Sequence, residues 1–353
     1  MKIANRMENL SPSVTLAITA LARELKAQGK DILSFSAGEP DFDTPQIVKD
    51  AAIKAINDGQ TKYTAVEGII ATKQAIINKL KKDHGLEYKL DGIVISNGAK
   101  HSLFNLFQVL IEKGDEVIIP APYWVTYPEQ VKFSDGVPVF IETDDSTDFK
   151  ITPEQLKVAI TPKTKILLLN TPSNPTGSVY SKEELLALGE VLKGTDIIVL
   201  SDEMYEKIMY NGKKFTAAAE VSEDMYKRTV TINGLSKAVA MTGWRFGYIA
   251  TCDTALAKAL TKLQGQVTSN INTMTQYAAI PALNGDADET IEMMRVEFEK
   301  RKNIAVKSFN EIKGLSTIDP DGAFYLFVNI KEVTNDSMKF CSDLLEQKGV
   351  ALV

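Results

Sequence analysis

Between residues 93 and 250 the chain repeats one pattern: a short apolar run, a polar break, and then often a longer stretch with helical spacing. The apolar runs are IVIS (93–96), EVIIP (116–120), VPVFIE (137–142), TKILLLN (164–170), DIIVLSDE (196–203), RTVTING (228–234) and FGYIA (246–250). Apolar runs that do not alternate with polar positions belong to strands buried on both faces, as in a parallel sheet covered by helices. Helical spacing at 99–112, 153–160 and 181–193 falls between them, and at 46–58 and 68–83 before them. This predicts a doubly wound α/β domain over 46–285 with a mostly parallel, seven-stranded sheet.

The flanks read differently. Residues 13–28 have helical spacing, with Pro12 before them and Gly29 after them. DILSFSA (31–37) is a short extended run, and two prolines and a glycine in GEPDFDTP (38–45) forbid regular structure. Beyond the large domain come a long charged helix (287–313), a strand GAFYLFVNI (322–330) and a helix (336–348). These predict a smaller α/β domain over 286–353, with residues 1–45 packing against it. GVALV (349–353) reads as a strand beginning with nothing after it, so a C-terminal part of this domain is expected to be missing. No internal repeat interrupts the order.

Composition narrows the functional classes. A chain of 353 residues suits two domains, and 44% hydrophobic with 24% charged residues is an ordinary globular balance. The net charge of −6 speaks against nucleic-acid binding, which needs a basic surface. Cys252 and Cys341 lie far apart, and His84 and His101 add no ligand spacing, so no metal site is expected. No apolar leader follows Met1, and no window reaches the roughly 18 apolar residues of a membrane helix. A cytoplasmic protein is the expectation.

The candidate chemistry lies at the C-terminal ends of the predicted strands, where open α/β sheets bind ligands. SNGAKHS (96–102) joins a strand to a helix through small residues, Gly98 and Ala99 among them, so amides at a helix start can meet an anion. It is equally an ordinary turn. NTPSNPTG (170–177) fixes a loop around Asn174, which offers a donor and an acceptor but also suits a plain loop. Asp202 follows DIIVL directly, where an acid is costly unless paired or used as a helix cap. Lys237 follows TVTI, and Arg245 stands eight residues on. A lysine at such a mouth is a Schiff-base former once its pKa falls, and an arginine forks onto phosphate; alone, each is also a solvated charge. An anion cradle, an acid, a lysine and an arginine together are the set that pyridoxal 5'-phosphate (PLP) needs.

These same residues carry a family resemblance. AGEPDFDTP (37–45), KYT..EG (62–68), NGAKHSLFN (97–105), PYWVTY (122–127), NTPSNPTG (170–177), SDEMYE (201–206) and SKAVAMTGWRFGY (236–248) occur in order along 10–353. In these motifs the chain resembles the class I/II aminotransferases of PLP fold type I, and within them the bacterial aspartate aminotransferase subgroup. The resemblance implies that Lys237 holds PLP as a Schiff base and moves the substrate proton. Asp202 would face the pyridine nitrogen, Tyr205 and Asn174 the phenolic oxygen, and Trp124 the ring. Gly98, Ala99, Ser236 and Arg245 would hold the phosphate, with Tyr63 reaching across a homodimer interface to the other copy's site. Gly38, Trp124, Asn174 and Lys100 would line the substrate pocket, Lys100 toward a side-chain carboxylate. The implied reaction passes an amino group from an L-amino acid, with aspartate or glutamate first, to a 2-oxo acid. Aromatic, prephenate or alanine aminotransferases, PLP β-lyases and a PLP-binding regulatory module are the alternatives. Two departures stand out. Tyr127 occupies the position of a histidine common in the family, and the family's late arginine for the α-carboxylate falls beyond Val353.

Overall fold

The computed structural model describes residues 1–353 apart from Asn9 and Ser13. The helices are α1 (Val14–Ala27), α2 (Gln46–Asn57), α3 (Ile70–His84), α4 (Ala99–Leu110), α5 (Thr126–Phe133), α6 (Pro153–Ala159), α7 (Lys182–Leu192), α8 (Glu223–Arg228), α9 (Thr254–Val267), α10 (Thr273–Asn284), α11 (Asp288–Asn310) and α12 (Ser337–Lys348). The strands are β1 (Leu33–Ser34), β2 (Ile93–Asn97), β3 (Glu116–Ala121), β4 (Val137–Glu142), β5 (Thr164–Asn170), β6 (Ile198–Asp202), β7 (Thr229–Gly234), β8 (Phe246–Ala250) and β9 (Val350–Ala351). The helix expected over 13–28 is therefore seen from Val14; Ser13 lies outside the described residues.

All seven apolar runs are strands of one sheet, in the order β2-β8-β7-β6-β5-β3-β4. Only β8 runs against its neighbours, β2 and β7; the other pairs are parallel. Side chains along β5 show why the run could not alternate. Ile166 and Leu168 enter one buried cluster and Leu167 and Leu169 the other, so both faces are covered. Helices α6 and α7 start on reciprocal caps, Thr152 with Gln155 and Ser181 with Glu184. The run begun by GVALV forms β9, which pairs in parallel with β1. Among the described residues, no helix is long and apolar enough to cross a membrane.

The topology places the site. Strands β2 to β7 all end at the same edge of the sheet, and the reversed β8 begins there. The connections after β2, β3, β5, β6 and β7 and the residue before β8 therefore meet along one line. They carry Gly98, Trp124, Asn174, Lys237 and Arg245, and Asp202 ends β6 on the same line.

One expectation is corrected. Residues 322–330 are not a strand; only two isolated bridges touch them, Gly322 with Met209 and Asn329 with Ser316. Ala323 takes a left-handed conformation (φ 58°), which breaks an extended run. Its apolar residues pack inward instead, Phe324 and Tyr325 each against the ring of Tyr205. The pattern reading also did not mark α5, α8, α9 and α10.

Candidate active site

Asp202 is the last residue of β6 and is buried. Its Oδ2 accepts a hydrogen bond from Tyr127 Oη (2.9 Å) and its Oδ1 one from the Met204 amide (3.3 Å). Burial raises its pKa to about 6, against the lowering effects of Tyr127, the Met204 amide and the Lys237 charge. Tyr127 is therefore no idle substitution for a histidine: it is the side-chain partner that keeps this carboxylate oriented. The Asp202 carbonyl accepts from Asn170 Nδ2 (3.1 Å), and Asn170 Oδ1 accepts from the Asn174 amide (2.7 Å). Asn170 thus ties the 170–177 loop to the acid, and Asn174 lines a small cavity together with Tyr123 and Tyr127.

Lys237 lies in the turn after β7, half-buried, and its Nζ donates to the Gly38 carbonyl. Nζ sits 6.0 Å from the centre of the Tyr205 ring and 5.8 Å from that of Phe324. Desolvation lowers its pKa to about 8, with Arg245 acting the same way and Glu39 and Asp202 opposing it. An amine in this range is partly deprotonated near neutral pH and can act as nucleophile or base. Tyr205, three residues past Asp202, is buried, with its hydroxyl 2.7 Å from that of Tyr325. Ser236 is buried in the Lys237 turn.

An anion cradle completes the edge. Gly98 precedes α4 with φ 84°, and the first amides of the helix, those of Ala99 and Lys100, have no helix carbonyl to bond. A Cβ on Gly98 would strike Arg245 Nη2, so the absent side chain lets the guanidinium lie against the turn. Gly247 in β8 has the same cause: a Cβ there would strike the Ala99 nitrogen. Lys100 Nζ lies 4.8 Å over the Trp124 ring, which stands perpendicular to the Tyr127 ring. Of the residues given cofactor or substrate roles in the sequence, Lys237, Asp202, Tyr205, Gly98, Ala99, Arg245, Trp124 and Lys100 meet along this edge, whereas the Tyr63 side chain is 91% exposed.

Behind the edge lies a network that the sequence reading did not mark. Glu206 follows Tyr205 directly and is buried; it binds Lys79 Nζ, His84 Nε2 (2.8 Å) and Asn233 Nδ2 (2.8 Å). His84 Nδ1 meets Glu220 (3.1 Å). Asp83, His84 and Glu206 have the proximity of metal ligands. With Lys79 already on Glu206 and both imidazole nitrogens on carboxylates, the group is an ion-pair cluster. It ties α3 to the turn that follows Asp202 and to the end of β7. Burial alone would lower the His84 pKa, but hydrogen bonds to Glu206 and Glu220 overturn this and raise it to about 9. A raised histidine stabilises fully below its unfolded pKa of about 6.5 and loses that stability as pH rises through about 9. The expected loss in urea unfolding is roughly 3 kcal/mol over that interval. In His84→Gln this portion of the pH dependence should vanish; an unchanged profile would refute the linkage.

Comparison with known proteins places this arrangement. Residues 30–353 match the family described as Aminotransferase class I and II. The aspartate aminotransferase of Geobacillus stearothermophilus is 51% identical, over 100% of this chain and 91% of the relative. The chain belongs to the class I and II aminotransferases. The aspartate/prephenate aminotransferase of Nitrosomonas europaea is 47% identical over the same shares. The solved structure of the Thermus thermophilus aspartate aminotransferase with maleate superimposes with a TM-score of 0.96 at 38% identity. It covers 100% of this chain and 91% of that one. The fold is therefore PLP fold type I, and the chain is a PLP-dependent aminotransferase. The edge suits that cofactor: a partly deprotonated amine, a buried carboxylate, and a cradle of free amides beside a guanidinium. Three contributors went unmarked in the sequence, Asn170, Tyr325 and Phe324. Asn170 stood inside a quoted motif, whereas Phe324 and Tyr325 were hidden in a run read as a strand.

Proposed function

We propose that the chain transaminates aspartate or glutamate with 2-oxoglutarate or oxaloacetate, by ping-pong kinetics, with Lys237 and Asp202 as its principal catalytic groups. What carries this reading is the convergence of Lys237, Asp202 and the Gly98–Ala99–Arg245 cradle on one sheet edge. Bound PLP supplies a carbonyl that condenses with amines and a ring that accepts the electron pair left when the α-proton departs. The chain's own residues do the rest. Lys237 Nζ would hold the cofactor and, once free and uncharged, would take the proton from the substrate's α-carbon and deliver it to the cofactor carbon that carried the imine. Asp202 would hold the proton on the ring nitrogen, with Tyr127 fixing its carboxylate. Tyr205 and Asn174 would bond the phenolic oxygen, and Trp124 would cover the ring. Ala99, Gly98, Ser236 and Arg245 would grip the phosphate. Gly38 lines the substrate side, where Lys100 offers its charge to a second carboxylate.

The exposure of Tyr63 supports a homodimer in which that tyrosine serves the other copy's phosphate. We divide the chain into a large domain over 46–285 and a smaller one over 286–353 joined by residues 1–45. The support is a separate small core of Ala22, Ile32, Leu345 and Ala351 beside the β1–β9 pair. Two free cysteines suit a reducing cytoplasm.

The test is the visible absorption of the protein with PLP before and after aspartate or glutamate. We expect an imine band that converts to the pyridoxamine form with either donor. A band unmoved by both would overturn the acidic-substrate reading, and prephenate or aromatic partners would then be tried. No band would overturn the cofactor site.

A further inference from the structure

The Tyr205–Tyr325 pair has a donor problem whose solution assigns a role. Two hydroxyls 2.7 Å apart share one hydrogen bond, and each has a single proton. If Tyr205 donated to Tyr325, it would have no proton left for the phenolic oxygen of PLP, the role proposed for it above. We infer that Tyr325 is a positioning residue, which donates to Tyr205 Oη and so leaves the Tyr205 proton directed at the cofactor. The inference rests on the reading of Tyr205 given under the proposed function.

Tyr325 is held for this task by more than its own contact. The Ala323 amide donates to the Ile208 carbonyl (3.0 Å), and Tyr210 Oη donates to the Ala323 carbonyl. The Tyr210 amide in turn bonds the Asp321 carbonyl (2.8 Å). The segment 321–323 is thereby fastened to residues 208–210, a few positions beyond Tyr205 itself. On the other side, a Cβ at Gly38 would lie 2.7 Å from Tyr325 Oη, so the glycine makes room for that hydroxyl. Asp202, Tyr127 and Lys237 are the charged and titratable groups nearest the pair. Burial raises the Tyr325 hydroxyl to about 12. It therefore remains a donor across the working range.

The experiment is a pH titration of the visible absorption of the PLP-loaded protein, on wild type, Tyr205→Phe, Tyr325→Phe and the double variant. A donor to the phenolic oxygen stabilises its deprotonated form, so losing or weakening that donor must raise the titration midpoint. Tyr205→Phe should raise it most. Tyr325→Phe should raise it by roughly half a pH unit, the share of one weakened hydrogen bond. The double variant should match Tyr205→Phe alone, because Tyr325 acts only through Tyr205. An unmoved midpoint in Tyr325→Phe would overturn the inference, and so would equal shifts from Tyr325→Phe with and without Tyr205. Failure of Tyr325→Phe to take up PLP would also count against it, since phenylalanine keeps the ring packing. A different result separates the underlying reading. If Tyr205→Phe itself leaves the midpoint in place, the assignment of Tyr205 fails first, and the Tyr325 role falls with it.

Discussion

Lys237→Ala is expected to fold, to show no imine absorption with PLP, and to turn over on the order of 10⁴-fold more slowly than wild type. The magnitude follows from two losses in one side chain. In the proposed mechanism the amine both holds the cofactor and moves the substrate proton, and among the described residues no other amine at the edge is placed to duplicate it. Lys100 is the other lysine there, but it is exposed and lies against Trp124. Desolvation brings Lys237 to about 8, so roughly a tenth of it is free amine at pH 7 without help from a partner. Folding should not suffer. The substitution removes a half-buried charge whose one direct hydrogen bond is to the Gly38 carbonyl. Steady-state turnover with aspartate and 2-oxoglutarate checks the rate, and absorption checks the cofactor linkage. Added small primary amines should recover part of the proton-transfer rate. Turnover within tenfold of wild type would remove Lys237 from the mechanism.

The site was legible because its main residues follow strands whose apolar runs are unmistakable. Asp202, Lys237 and Asn174 each stand at or just past the end of such a run, and the reversal of β8 brings Arg245 to the same line. The motif resemblance implied roles that spacing alone left open, and these remain the proposal. The rest was hidden for definite physical reasons. Helix α10 is buried on most sides and contains Pro281, so it presents no polar face to mark a helical period. GAFYLFVNI is as apolar as a strand, yet its side chains fill the space around Tyr205 while its backbone finds only isolated bridges. Tyr325 was invisible for that reason. The buried cluster around Glu206 draws on Lys79, His84, Glu220 and Asn233, far apart in sequence, and no local pattern announces such a convergence.

At Asp202 the stability of the fold and the proposed catalytic role pull in opposite directions. In the chain without cofactor its carboxyl is buried, and burial lifts its pKa from 3.8 to about 6 despite the hydrogen bonds from Tyr127 and the Met204 amide. The folded state then binds this proton more tightly than the unfolded state does. Stability falls as pH rises from about 4 to about 6, and at pH 7 the ionised group costs roughly 3 kcal/mol. In the proposed placement of Asp202 against the ring nitrogen, bound PLP would reverse the sign, because a protonated ring nitrogen would give the buried carboxylate its cation. Asp202→Asn should therefore unfold at higher urea than wild type when both lack PLP. With PLP it should keep the imine absorption, since Lys237 and the cradle are intact, yet lose roughly 10³-fold in turnover. Asp202→Ala should lose as much rate, without the gain in stability, because it leaves the Tyr127 hydroxyl without its acceptor. Urea midpoints of the cofactor-free proteins and turnover of the loaded ones measure both halves. A loaded Asp202→Asn protein with wild-type turnover would show that this carboxylate faces no developing charge.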